Sequence, residues 1–197
     1  MAAVSLMTVR QCIVACIVAM FSVWPVAAFS APAQVTLIEP LIGDNQLTMD
    51  VDFAMDLNRV MVDAVEHGVP LYFTVDLTIK APRWWWLDRV VVDTSLTRRL
   101  TYNTLTRQWR VASGDLFLPV GSLDEAMAVL RQVRGWPVAP LDQFDPDFRY
   151  EGRIRIRLDT SQLSRPLRVD ALAQGAWSLV SPWKPFDFSI RQADPVK

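Results

Sequence analysis

The sequence has almost none of the residues that most site chemistries require. It holds two cysteines, Cys12 and Cys16, and one histidine, His67, in 197 residues. Beyond residue 16 there is no thiol. This excludes a disulfide, a thiolate nucleophile and a cysteine-ligated metal from the rest of the chain. A lone histidine removes the usual zinc, copper and haem ligand sets. It also leaves any serine triad dependent on His67, and no G-x-S-x-G pattern accompanies it. His67 precedes Gly68 at the end of a helical pattern, which reads as a solvated C-terminal residue suited to the helix dipole. The seven glycines are spread out, so no phosphate-cradling loop is present. The formal net charge of −1 gives no general affinity for nucleic acid or anionic lipid. No cofactor, metal or nucleic-acid partner is expected.

What is present begins with a leader. Arg10 is the only charge in the first thirty residues, and CIVACIVAMFSVWPVAAF follows at 12–29, broken by Pro25. The small residues Ala28, Ser30 and Ala31 complete the pattern of a secretory signal peptide, with cleavage after Ser30. A spanning helix needs about 20 apolar residues, so an uncut anchor is the alternative. Either way, residues 31–197 are expected outside the cytoplasm, in the periplasm. The expected organisation is a signal peptide or anchor at 1–30, one exported domain at 31–190 and a tail at 191–197.

The exported part alternates. In LTMDVDFAMD (47–56), Leu47, Met49, Val51, Phe53 and Met55 fall on one face. LYFTVDLTIK (71–80) and RIRIRLD (153–159) repeat the scheme. Period two over such lengths marks half-buried strands, and one wet face per strand marks antiparallel sheets. Weaker strands are expected at 34–39, 86–94, 97–102, 107–112, 115–119 and 175–180. Two short helices interrupt them. Asp56 is expected to cap LNRVMVDAVEH. Ser122 and Glu125 form a capping box for LDEAMAVLRQVR, with Gly135 as its stop. WPVAPLDQFDPD (136–147), with three prolines, reads as a loop, and the stretch around Pro182, Pro185 and Pro195 as a trailing end. The fold class is α+β and β-rich, with antiparallel sheets curled or sandwiched and two short helices.

Three residue groups invite a functional reading. Asp142, Asp145 and Asp147 cluster in the proline-rich loop, but they lack calcium-loop spacing and read as turn formers. Arg153, Arg155 and Arg157 stripe the wet face of one strand. They read as an anion patch or as cross-strand partners of Asp50, Asp52 or Asp76; the pairing is favoured. Arg83, Trp84, Trp85, Trp86 and Arg89 form the candidate interaction surface. Three consecutive tryptophans cannot share one face of a strand, and Trp and Arg are enriched at binding hot spots. The bland alternative is that the seven tryptophans beyond the leader fill a core that has no disulfides.

The order EHGVPLYF (66–73), RWWWLDRVV (from 83), RRLTYNTLTRQW (98–109), GSLDEAM (121–127), RIRLDTSQLSRPL (155–167) and WSLVSPW (177–183) resembles a family of exported proteobacterial proteins known only as a domain of unknown function. The resemblance implies an exported β-rich domain encoded near a membrane sensor kinase. It assigns no catalytic residues. Export, the missing catalytic sets and the surplus tryptophan together lead to an expected non-enzymatic binding module with a membrane or periplasmic protein partner. A hydrolase working with Asp and Glu alone and a carrier of an apolar ligand are the competing expectations.

Overall fold

The computed structural model describes residues 33–81, 89–163, 177–191 and 194–195. All of them belong to one compact unit. In chain order they form β1 (Gln34–Gly43), β2 (Gln46–Ala54), helix α1 (Arg59–Glu66), β3 (Leu71–Ala81), β4 (Arg89–Asn103), β5 (Gln108–Ser113) and β6 (Leu116–Val120). Helix α2 (Leu123–Leu130), β7 (Gln132–Pro140), β8 (Arg149–Leu158), β9 (Lys184–Ser189) and β10 (Asp194–Pro195) follow. The strands make two sheets, neither closed into a barrel. One has the order β10-β1-β2-β7 and the other β6-β5-β4-β3-β8-β9. Every pairing is antiparallel except the two-residue contact of β10 with β1. The α+β, β-rich expectation holds.

The alternation read from the sequence sets the inside of this body. Leu47, Met49, Val51 and Phe53 of β2, Leu71, Phe73, Val75, Leu77 and Ile79 of β3, and Ile154 and Ile156 of β8 are all buried in one apolar cluster. Each such side chain contributes about 1.5–3 kcal/mol on burial. Trp109, Trp136 and Trp177 lie in the same cluster, so these three rings are core. The two sheets are also laced by cations. The Arg98 guanidinium on β4 donates to the Val129 and Gln132 carbonyls, at 2.7 and 2.6 Å, where α2 gives way to β7. Burial lowers its pKa from the usual arginine value. Lys184 of β9 donates to the Val35 carbonyl of β1 at 3.1 Å.

Four expectations require correction, besides the strand expected at 175–180, of whose described residues Val180 alone bridges, to Arg157. The cap of α1 is Asn58, whose side chain accepts from the Met61 amide at 3.0 Å, while Asp56 pairs with Arg131. Leu57 packs against the core, which carries the chain past Asp56 before the helix begins. Helix α2 starts as expected, with Ser122 Oγ accepting from the Glu125 amide; Glu125 then reaches back to the Gly121 amide. It stops at Leu130, five residues before Gly135, because the chain is captured there by β2. Phe53 N donates to the Arg131 carbonyl, and Arg131 Nε donates to Met55 O. Beyond residue 140 the expected loop is present, as a short 3-10 helix and turn, but residues 136–140 are the second half of β7. Its prolines are tolerated because β7 is an edge strand, with register shifts against β2 and Gly135 at φ +58°. The trailing end also contributes structure: β9 closes the six-stranded sheet and β10 meets β1.

One contact tests this packing. Gly152 of β8 faces Phe186 of β9, and a Cβ at 152 would fall within the phenyl ring. Phe186 stacks on Phe188, which packs on Tyr150 and Phe144. Gly152→Ala is therefore expected to destabilise the domain by about 1–3 kcal/mol in urea unfolding. Adding Phe186→Leu should recover part of that loss, since the aliphatic side chain can move aside.

Candidate binding face

The outer face of the six-stranded sheet is a small grid set by register. β3 lies between β4 and β8, and three rows cross them. Arg153 stands beside Thr78 and Asp93, Arg155 beside Asp76 and Ser95, and Arg157 beside Thr74 and Thr97. The same period that buries Ile154 and Ile156 turns the three arginines outward.

Asp76 organises the grid. Its Oδ2 accepts from Arg155 Nε at 2.8 Å and from Arg157 Nε at 3.0 Å. Its side chain is 19 % exposed and each arginine 32 %, so the charges are well withdrawn from water. Arg157 also meets Asp159 at 3.4 Å. Desolvation would lower the pKa of Arg157, but the Asp76 hydrogen bond and the charges of Asp76 and Asp159 raise it above the usual value. Burial pushes the Asp159 carboxyl up. The Ser161 hydroxyl and amide, together with the Arg157 charge, outweigh that and hold it below the ordinary carboxylate value. Above the grid sits Trp183, half-buried, with the guanidinium carbons of Arg153 and Arg155 4.7 and 4.4 Å from its ring centroid. Arg153 has no ion pair among the described residues. Asp76, Thr78, Asp93, Ser95, the three arginines and Trp183 line an open depression of about 470 Å³.

The cross-strand pairing expected of the arginine stripe is thus present, but with Asp76 alone. Asp50 and Asp52 belong to β2 in the other sheet and face Arg134 of β7. Trp183, beside Pro182 in the stretch expected to trail off, gives no sequence signal beyond its aromatic ring. Of the candidate interaction surface, Arg83, Trp84, Trp85 and Trp86 lie outside the described residues. Arg89 is exposed at the start of β4, paired in register with Ala81. His67 ends α1, its Nδ1 2.6 Å from the Asp63 carbonyl. Asp145 and Asp147 shape a turn in which Asp145 Oδ1 accepts from the Asp147 amide. No group of three or more potential metal-ligating side chains occurs among the described residues.

These features define a class: a two-sheet, β-rich α+β domain carrying an arginine-lined, aromatic-capped polar face. The chain belongs to the family described as a domain of unknown function, DUF4390, whose model matches residues 30–187. No curated protein and no solved structure matches it.

Two outcomes follow from the grid. Asp76→Ala strips the shared acceptor from two partly buried arginines and is expected to cost about 1–2 kcal/mol, discounted for their remaining exposure. A double-mutant cycle should show coupling of Asp76 to Arg155 above about 0.5 kcal/mol, and none of Asp52 to Arg155. The second outcome concerns pH. The folded pKa of Asp159 is depressed, so its contribution is complete above the unfolded value near pH 4 and is lost as pH falls through the folded value. Asp159→Asn is expected to be less stable than the parent at pH 7 by about 1 kcal/mol. The difference should close in thermal melts taken below the folded value.

Proposed function

We propose that this chain is an exported, non-enzymatic binding module that works in the periplasm in the service of a membrane signalling system. The outer face of the six-stranded sheet is its contact surface. The observation that carries this reading is the Arg155–Asp76–Arg157 network, with Arg155 set against Trp183. A purely solvent-facing sheet surface has no need to withdraw three charges partly from water and set one of them against an aromatic ring, at a cost in desolvation and side-chain entropy. Binding sites do need fixed polar groups beside an apolar wall.

A binding role is favoured over a catalytic one by the commitments of the acids and the histidine. Asp76 is occupied by two arginines, His67 by its own helix, and Asp145 by a turn. An apolar carrier is favoured less. The more apolar depression, beside Trp177 and Leu179, holds about 260 Å³, below the roughly 300–1,000 Å³ of ligand pockets. Export is supported by the leader pattern of residues 1–30.

Expression of the full chain in a Gram-negative host tests this reading. The protein should appear in the osmotic-shock fluid with Ala31 as its first residue. Retention in the inner membrane with residue 1 intact would replace the cleaved leader by the anchor. Recovery from the cytosol would refute export altogether.

A further inference from the structure

The structure assigns the Trp183 basin to a small molecule with one carboxylate and a hydroxyl or ammonium group beside it, such as a hydroxy acid or an amino acid. This deepens the binding-module reading and rests on it. Arg153 and Arg155 are two residues apart on one face of β8 and share one indole ring. Sharing it sets two like charges side by side, one half-buried and one exposed, an arrangement that an anion relieves. Their donors are not equally occupied. Arg155 commits Nε to Asp76, and its terminal nitrogens make no bond to another described residue. Among the described residues Arg153 meets the ring alone. Two guanidinium edges are therefore available to a planar acceptor, which is what a carboxylate offers.

Charge selects among anions. Asp76 is shared by Arg155 and Arg157, and Arg157 also meets Asp159, which leaves Arg153 without a carboxylate among the described residues. One ligand carboxylate fits the open guanidinium edges of Arg153 and Arg155, whereas a phosphate dianion would bring a second negative charge against Asp93. The β4 wall then reads the neighbouring group. Among the described residues Asp93 is held by one long 3.4 Å bond, from Thr78 Oγ1, and Ser95 is exposed near it in the lining. Both can accept from a ligand hydroxyl or ammonium. The depression, about 470 Å³, is large enough for such a molecule.

The test titrates the full chain with lactate, glycine, acetate and inorganic phosphate while the arginine Nε–Hε signals are followed by NMR. Lactate or glycine should shift Arg153 and Arg155 saturably and bind more tightly than acetate or phosphate. Arg153→Gln should weaken that binding about tenfold or more, since it removes a charge-assisted contact. Arg59→Gln, a neutralised exposed arginine on α1, should leave it within about twofold. Asp93→Asn should erase the advantage of lactate or glycine over acetate. Phosphate binding as tightly as lactate or glycine would overturn the carboxylate assignment, and so would unchanged affinity in Arg153→Gln. The probe's own signals separate this proposal from the broader reading. Intact probe with no saturable shift defeats the carboxylate site and leaves the binding module standing. Saturable binding with steady conversion of the probe keeps the site and defeats the non-enzymatic role.

Discussion

β3 lies in the middle of the larger sheet, and its register against β4 and β8 fixes both sides of the molecule at once. Leu71 through Ile79 supply five buried positions on the inner face, and Thr74, Asp76 and Thr78 supply the middle column of the outer grid. The side-chain period of a strand is two, so these sets cannot be moved separately. A slip of one residue in β8 would drive Arg153, Arg155 and Arg157 inward and expose Ile154 and Ile156. The apolar core therefore enforces the arrangement of the binding face. The Asp76 bonds in turn favour only the register that the core selects.

With no disulfide among the described strands, the two sheets meet through apolar burial and a few long cationic side chains that end on backbone carbonyls. Arg98 and Lys184 are the examples that cross between the sheets. A carbonyl acceptor costs nothing elsewhere when it lies at a helix end, where the last carbonyls have no partner within the helix. Arg98 reaches such a place at Val129 O, and also takes Gln132 O at the start of β7. This explains how a cation can sit partly buried without a carboxylate beside it. It also leaves the acids of β3 and β4 for the outer face.

The sequence discloses this fold unevenly, for physical reasons. Strict alternation made β2, β3 and β8 plain, because both of their faces obey the same rule. The Ser122 cap was plain because its partners are three residues away. Asn58 was hidden by Asp56, an equally good capping residue displaced only because Leu57 packs in the core. The binding face was half visible. Three outward arginines could be read from spacing, but the strand that would lie beside them is a matter of topology, so Asp50, Asp52 and Asp76 looked equivalent. Sheet order singled out Asp76. Trp183 was invisible as a site residue because it comes from a connection that neither period marks.

Proline was the most misleading residue and, once the sheets are ordered, one of the most informative. β6 holds Pro119, β9 Pro185, β7 Pro137 and Pro140, and β10 Pro195; these are the four strands at the ends of the two sheets. The strands with a neighbour on each side along much of their course, β2, β3, β4, β5 and β8, contain none. β1 has Pro40 just before Leu41 and Ile42, the only positions that β10 covers. A proline lacks the amide that a ladder needs, so it is admitted only where one side of the strand has no neighbour. The same gap blunts an edge against pairing with another chain. That matters most for β6, where Leu116, Phe117 and Leu118 are all exposed. Treating proline as evidence against a strand removed β7 and β9 from the sequence reading. Treating it as evidence for an edge would have kept both and placed them at the ends of their sheets.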